Sequence, residues 1–233
     1  MTASSFPAWY SFMELPSHDG VANDTAISNT GGGDGAGETR WGWTVPTWRE
    51  EAHRMGIADL SLANFRAQTP ATLQPLARDM FWARLRCDEM SAGVDCMVAD
   101  WAFTSGGAVL EIQRRIGALA DGLIGPATLA ALAAHRATDL VTSLNVWRAA
   151  YYDRCGFRAL WPGLYRRSSD CTKVALGLVG SAGAASNTPV VANKDASVST
   201  TLANPPQISH TSDNSADTLN ADQLQTIAGD SES

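Results

Sequence analysis

Apolar side chains recur at helical spacing through most of the first 170 residues. Phe6, Trp9, Tyr10 and Met13 fall three and four positions apart, the spacing of one buried helix face. In TVPTWREEAHRMG, residues 44–56, Thr44 offers a cap, Pro46 an early proline and Gly56 a stop. TPATLQPLARDMFWARL, residues 69–85, opens with Thr69 as N-cap and Pro70 at the first helical position, where a missing N–H costs nothing. Pro75 falls one turn later and predicts a kinked start. AGVDCMVADWAFTSG and AVLEIQRRIGAL predict two apolar helices separated by Gly106 and Gly107. GPATLAALAAHR, opened by Pro126, and ATDLVTSLNVWRAAYYDRCG, closed by Gly156, predict two more. No stretch alternates as a strand does, so the expected class is all-α or predominantly helical.

The pattern changes at about Gly180. From there to Ser233 the chain is rich in Ser, Ala, Asn, Thr and Asp and has no aromatic residue. Such a segment buries too little surface to offset its ordering entropy and is expected to be a disordered acidic tail, residues 180–233. A short helix near ADQLQTIA would matter only if a partner stabilised it. The net charge of −7 is uneven: −2 through Lys173 and −5 beyond it. Before Lys173 every basic residue is arginine, and Arg114/Arg115 and Arg166/Arg167 would make local basic patches. Without a wider basic stripe, nucleic acid is not an expected partner.

No run of about 18 apolar residues is present, so stable membrane insertion is not expected. MTASSFPAWYSFMELPSHDG lacks a basic n-region and is interrupted by Ser11 and Glu14, so it does not read as a signal peptide. Synthesis and folding in the cytoplasm are expected. The four cysteines, Cys87, Cys96, Cys155 and Cys171, form no C-x-x-C pair and have no histidine cluster nearby, which argues against zinc. Buried free thiols are expected, with Cys87/Cys96 or Cys155/Cys171 pairing as the alternative.

Candidate chemistry gathers around MELPSHDGVANDTAISNTGGGDGAGETRWGWT, residues 13–44. Glu14 stands at the end of the first helix, and a polar loop then delivers Asp34, Glu38 and Thr39. Glycosidic cleavage needs one protonated carboxyl to serve the leaving oxygen and a second group to hold or activate water. Partial burial of the first carboxyl would raise its pKa towards neutrality, and the apolar helix carrying Glu14 could supply it. Thr39 would help orient the water, and Trp41 and Trp43 would stack on sugar faces. The same residues also fit a plainer reading: Asp and Gly as turn formers, Glu14 as a solvated helix end, and both tryptophans as core.

GDGAGETRWGWT resembles the D-P-G-G-x-T-x-x-G-I-T signature of the phage and bacterial N-acetylmuramidases of glycoside hydrolase family 108, a group of endolysins and secretion activator proteins. Asp34, Gly37, Thr39, Gly42 and Thr44 match it, while Gly35, Ala36 and Trp43 replace proline, glycine and isoleucine. LEIQRRIGALADGLIGPATLAAL, residues 110–132, resembles L-Q-x-x-L-G-x-x-x-D-G-x-I-G-P-x-T-L-x-A-L in the family's peptidoglycan-binding-like half. There Gln113 belongs to one helix, Asp121-Gly122 to a turn and Pro126 with Thr128 to the next helix. RCDEMSAGVDCMVADWAFTSGG is similar to the family's L-P-x-G-V-D stretch and the buried helix after it, with Asp95 and Asp100 matched and Thr104 in place of asparagine. LWPGLYRR is similar to a terminal glycine-tryptophan-arginine stretch, with Leu164 in place of tryptophan.

The resemblance covers about residues 5–170 and implies a lysozyme-like single globular domain. Residues 5–90 would form the catalytic half and 91–172 the peptidoglycan-binding-like half. It implies cleavage of the β-1,4 bond between N-acetylmuramic acid and N-acetylglucosamine, with peptidoglycan glycan strands as partner, no cofactor or metal, and a monomer. Action in the periplasm or on the wall would follow holin-type or other export. Glu14 would be the acid, Asp34 its counterpart and Thr39 the helper. The family usually carries a glutamate and two glycines about nine residues before the signature aspartate. Here HDGV is the nearest text, with His18 at the glutamate position sixteen residues before Asp34, while Glu14 lies twenty before it. If His18 holds the acid's place, the alternative is a non-catalytic peptidoglycan-binding or secretion-assisting protein.

Overall fold

In the computed structural model, residues 4–15 and 38–186 are described. Helix α1 (Phe6–Met13) starts with Pro7 in its first turn and buries Phe6, Trp9, Tyr10, Phe12 and Met13. An antiparallel ribbon follows, β1 (Thr39–Arg40) against β2 (Trp43–Thr44), with Thr39 opposite Thr44 and Arg40 opposite Trp43. The ribbon is a small addition to the predominantly helical class that the sequence leads one to expect. Two-residue strands leave no alternation to read, and the turn that closes them places Trp41 at φ +54° and Gly42 at φ +78°. Glycine adopts that region freely; tryptophan does so only when held there.

Helix α2 (Val45–Arg54) is capped by Thr44, whose hydroxyl accepts from the Thr47 N–H. Helix α3 (Leu62–Ala67), which no apolar repeat announces, is capped in the same way by Ser61. Helix α4 (Pro70–Ala77) has the expected start at Thr69, and Thr69 and Thr72 exchange side-chain-to-backbone bonds as a capping box. The chain stays helical through Pro75. Its departure from α geometry comes afterwards, in a wider π turn at Arg78–Ala83 that buries Phe81 and Trp82.

Helix α5 (Val94–Thr104) is buried continuously from Val94 to Trp101, as befits a helix packed on several sides. Helix α6 (Ala108–Ile116) ends at Gly117 in the left-handed region, and α7 (Pro126–Ala133) begins at its proline. Then come α8 (Ala137–Arg154), the short α9 (Phe157–Leu160) and α10 (Gly163–Ser186). Helices α1, α6, α8 and α10 all pack on α5, and α10 also lies along α8. The described part is predominantly helical, as expected.

Helix α10 corrects the boundary at Gly180, because the chain remains helical to Ser186. LGLVGSAGAAS has the small-residue composition of a linker, yet Cys171 and Ala175 are buried in the core and Val174, Leu178 and Val179 pack against it. Packing of these few side chains sustains a helix that composition does not advertise. The rest of the tail lies outside the described residues. Among the described residues no helix is long and apolar enough to cross a membrane.

Candidate active site

The expected site residues divide by position. Glu14 caps the C-terminal end of α1 and is exposed, so the buried setting expected for a proton donor is not supplied by that helix. Thr39 is half-buried in β1. Asp34 and His18 lie outside the described residues. Trp43 is 2% exposed and packs edge-on against Phe81 (5.6 Å between ring centroids) and Phe103 (6.3 Å). Its ring is therefore core, which corrects the expectation that it stacks on sugar. Trp41 is half-buried, and its indole N–H donates to the Gln68 carbonyl at 3.1 Å.

The ribbon is fastened from below. Arg40 Nε donates to the same Gln68 carbonyl at 2.7 Å, and the Gln68 amide donates to the Asn64 carbonyl at 3.0 Å. One backbone carbonyl between α3 and α4 thus receives both side chains. Glu38, immediately before the ribbon, is gripped by Arg66, with Nε 2.9 Å from Oε1 and Nη2 2.9 Å from Oε2. The bidentate hydrogen bonding from Arg66 holds the Glu38 carboxyl below the usual range. Glu38 is a pinned anion, unsuited to giving up a proton near neutral pH.

A shared aromatic cluster anchors both sides of the segment 16–37. Trp9 of α1 lies 6.5 Å from Phe103, and Trp43 of β2 meets the same ring. Phe103 on α5 also contacts Phe81 at 5.0 Å. The chain thus departs near Glu14 and returns at Thr39 with both ends tied to one rigid group of rings.

The second sequence motif folds as its residues suggest. Gln113, fully buried on α6, donates from Nε2 to Asp121 Oδ1 (2.8 Å), the Leu123 carbonyl (2.9 Å) and Thr128 Oγ1 (3.2 Å). Its Oε1 accepts from the Gly122 N–H at 2.8 Å, and Gly122 sits at φ +81°. One amide therefore locks the whole α6–α7 loop. The loop leaves Leu119 77% and Leu123 69% exposed.

A buried polar network joins the parts of the molecule, and the sequence reading missed it. Asp100 on α5 receives Arg148 Nη1 at 2.8 Å and Arg167 Nη2 at 2.5 Å, with the Trp9 indole N–H at 3.4 Å. Arg148 also donates to Tyr152 Oη (2.6 Å) and Thr104 Oγ1 (2.9 Å), and those two hydroxyls pair at 2.7 Å. Arg167 is 4% exposed, which corrects its expected place in a surface basic patch with Arg166. Arg114 and Arg115 are not a free patch either, since both pair with Glu111. The signal available in the sequence was Asp100 on a helix apolar on every side, because a buried carboxylate demands a cationic partner.

The cysteines follow the expectation of free thiols. All four are free, and Cys87, Cys96 and Cys171 are buried; only Cys155, which is exposed, departs from it. The close pair is Cys96 and Cys171, on α5 and α10.

Comparison with known proteins agrees with this architecture. The family model described as Glycosyl hydrolase 108 matches residues 25–106, and the one described as Predicted Peptidoglycan domain matches residues 107–159. The junction falls between α5 and α6. The solved structure of SagA from Brucella abortus is similar, with 30% identity, a TM-score of 0.55, and coverage of 63% of this chain and 83% of that chain. No curated protein matches. With Asp34 to Thr44 inside the first match and the Gln113 loop inside the second, the chain belongs to the glycosyl hydrolase 108 family, carries a peptidoglycan domain, and has a peptidoglycan-related function.

Proposed function

We propose that the protein is a peptidoglycan hydrolase of the N-acetylmuramidase type, cutting the β-1,4 bond between N-acetylmuramic acid and N-acetylglucosamine. The observation that carries this reading is the shared anchoring of Glu14 and Thr39. Both flank the segment bearing Asp34, and both are tied through Trp9 and Trp43 to Phe103. Glu14 is the acid, Asp34 positions water or stabilises the oxocarbenium-like transition state, and Thr39 orients the water. Trp41, half-buried at the ribbon turn, is the sugar-facing aromatic. Residues 5–90 form the catalytic half and 91–172 the half that holds the glycan strand. The chain works as a monomer, without cofactor, on the periplasmic or wall side after holin-type or other export, in phage lysis as an endolysin or in wall remodelling.

A binding-only role is favoured by one observation. Glu14 is exposed at the end of α1, whereas an acid active near neutral pH needs a desolvated setting. In that reading the chain holds peptidoglycan, or assists secretion, without cutting. Incubating the purified full chain with isolated peptidoglycan separates the two. Hydrolysis releases new reducing ends, and Glu14→Gln or Asp34→Asn lowers the rate by about 10²–10⁴-fold. Full activity in Glu14→Gln removes Glu14 as the acid. Pull-down with peptidoglycan and no released ends supports the binding role.

A further inference from the structure

We propose that Cys96 and Cys171 form a disulfide that ties α5 to α10 once the chain meets an oxidising compartment. Their Sγ atoms stand 3.9 Å apart although the residues are 75 positions apart in the chain. Both side chains are fully buried. A second observation shows how closely the two helices cross at this point. A Cβ on Gly93 would stand 2.4 Å from the Ala175 carbonyl oxygen. Gly93 lies one turn before Cys96, and Ala175 one turn after Cys171, so the backbone approach and the thiol pair share one stretch of the helix interface. A disulfide holds its sulfurs about 2.0 Å apart, so closure requires a movement of roughly 2 Å, within the swing of the two side chains.

The other two cysteines are placed differently. Cys87 turns its sulfur to the Phe81 carbonyl at 3.8 Å, and Cys155 is exposed at the end of α8.

The chemistry balances against an external disulfide. One cysteine thiolate attacks that disulfide and forms a mixed disulfide, releasing one thiol. The second cysteine then attacks the mixed disulfide, forms the Cys96–Cys171 bond and releases the other thiol. Two protons and two electrons leave the protein and reduce one disulfide to two thiols. In solution oxidised glutathione serves; outside the cytoplasm a disulfide-bearing oxidoreductase would. Hydrogen bonding to Cys171, burial, and the charges of Asp100 and Asp95 keep the Cys96 thiol well above its ordinary range. Attack by Cys96 is therefore slow in the docked state, and the bond forms when local opening of α10 from α5 exposes the pair to the oxidant.

The proposal rests on the peptidoglycan reading only for the compartment that supplies the oxidant. Refolding the full chain in a glutathione redox buffer tests it without reference to activity. After denaturation and alkylation, oxidised protein takes two alkyl groups, on Cys87 and Cys155. Combined tryptic and Glu-specific digestion, cutting at Glu89 between Cys87 and Cys96 and at Arg158, Arg166 and Arg167 between Cys155 and Cys171, yields a cross-linked peptide whose only cysteines are Cys96 and Cys171. The oxidised form melts about 10 °C above the reduced form, since the bond closes a long loop of the unfolded chain. Cys171→Ala loses this redox dependence of Tm. Four alkyl groups after oxidative refolding, or a bridge that uses Cys87 or Cys155, overturns the proposal. The wild-type peptide map decides the matter even if the variant does not fold.

Discussion

Asp95 and Asp100 lie five residues apart on α5, both buried, yet their surroundings treat the carboxylate charge in opposite ways. Asp100 meets two guanidinium groups. Asp95 meets only neutral donors among the bonds that act on its charge, the Ser5 hydroxyl and the N–H groups of Gly93 (2.7 Å) and Cys96 (2.6 Å), the last two reaching Oδ1. Burial outweighs these bonds and pushes its carboxyl up to about 6. The folded state then holds the proton more tightly than the unfolded chain, whose aspartate titrates near 3.9. The stability conferred by protonated Asp95 is fully present below that value and is lost as pH rises through about 6. Thermal melts between pH 4 and 7 are expected to fall more steeply for wild type than for Asp95→Asn. Parallel profiles would remove Asp95 as the source. Trp43 offers a second check, because its role is packing: Trp43→Ala is expected to cost about 3–5 kcal/mol in denaturant unfolding, whatever its effect on peptidoglycan.

The ribbon and the α6–α7 loop show two ways of fixing a turn. At the ribbon, backbone strain at Trp41 is held by its bond to Gln68, and Gly42 carries the second positive φ. Gly42→Ala is expected to destabilise by about 1–2 kcal/mol, measurable as a lower urea midpoint with an unchanged m-value. In the α6–α7 loop the Gln113 amide takes the place of strain. Gln113→Ala, which removes the acceptor of the Gly122 N–H and one of the two donors to Asp121 Oδ1, is expected to cost about 2 kcal/mol and to speed amide exchange at Gly122. The sequence makes this second loop readable, because Gln, Asp-Gly and Pro-x-Thr each have a local role. Helix starts at Thr44 and Thr69 are readable for the same reason: a cap is a contact between near neighbours. The ribbon is too short to show a period, and α10 is held by contacts with α5 and α8 that no local pattern encodes.

The Asp100 network connects α1, α5, α8 and α10 through Trp9, Thr104, Arg148 and Arg167. It spans both matched segments and the helix beyond them, so the two matched portions are expected to unfold together. Asp100→Asn leaves buried guanidinium charge without its carboxylate and is expected to cost about 3–5 kcal/mol, with a single unfolding transition retained in wild type. Two separate transitions in wild type would contradict this coupling. The candidate site was legible only in outline. Thr39 and the motif around it stood out by spacing, but burial of Trp43 and exposure of Glu14 depend on how α1 and the ribbon meet Phe103. The muramidase reading is tested most directly by mass spectrometry of the soluble products from full-length protein acting on isolated peptidoglycan. Fragments ending in hydrated, reducing N-acetylmuramic acid are the expected result; anhydro-muramoyl ends, or no fragments from protein that binds the wall, would contradict it.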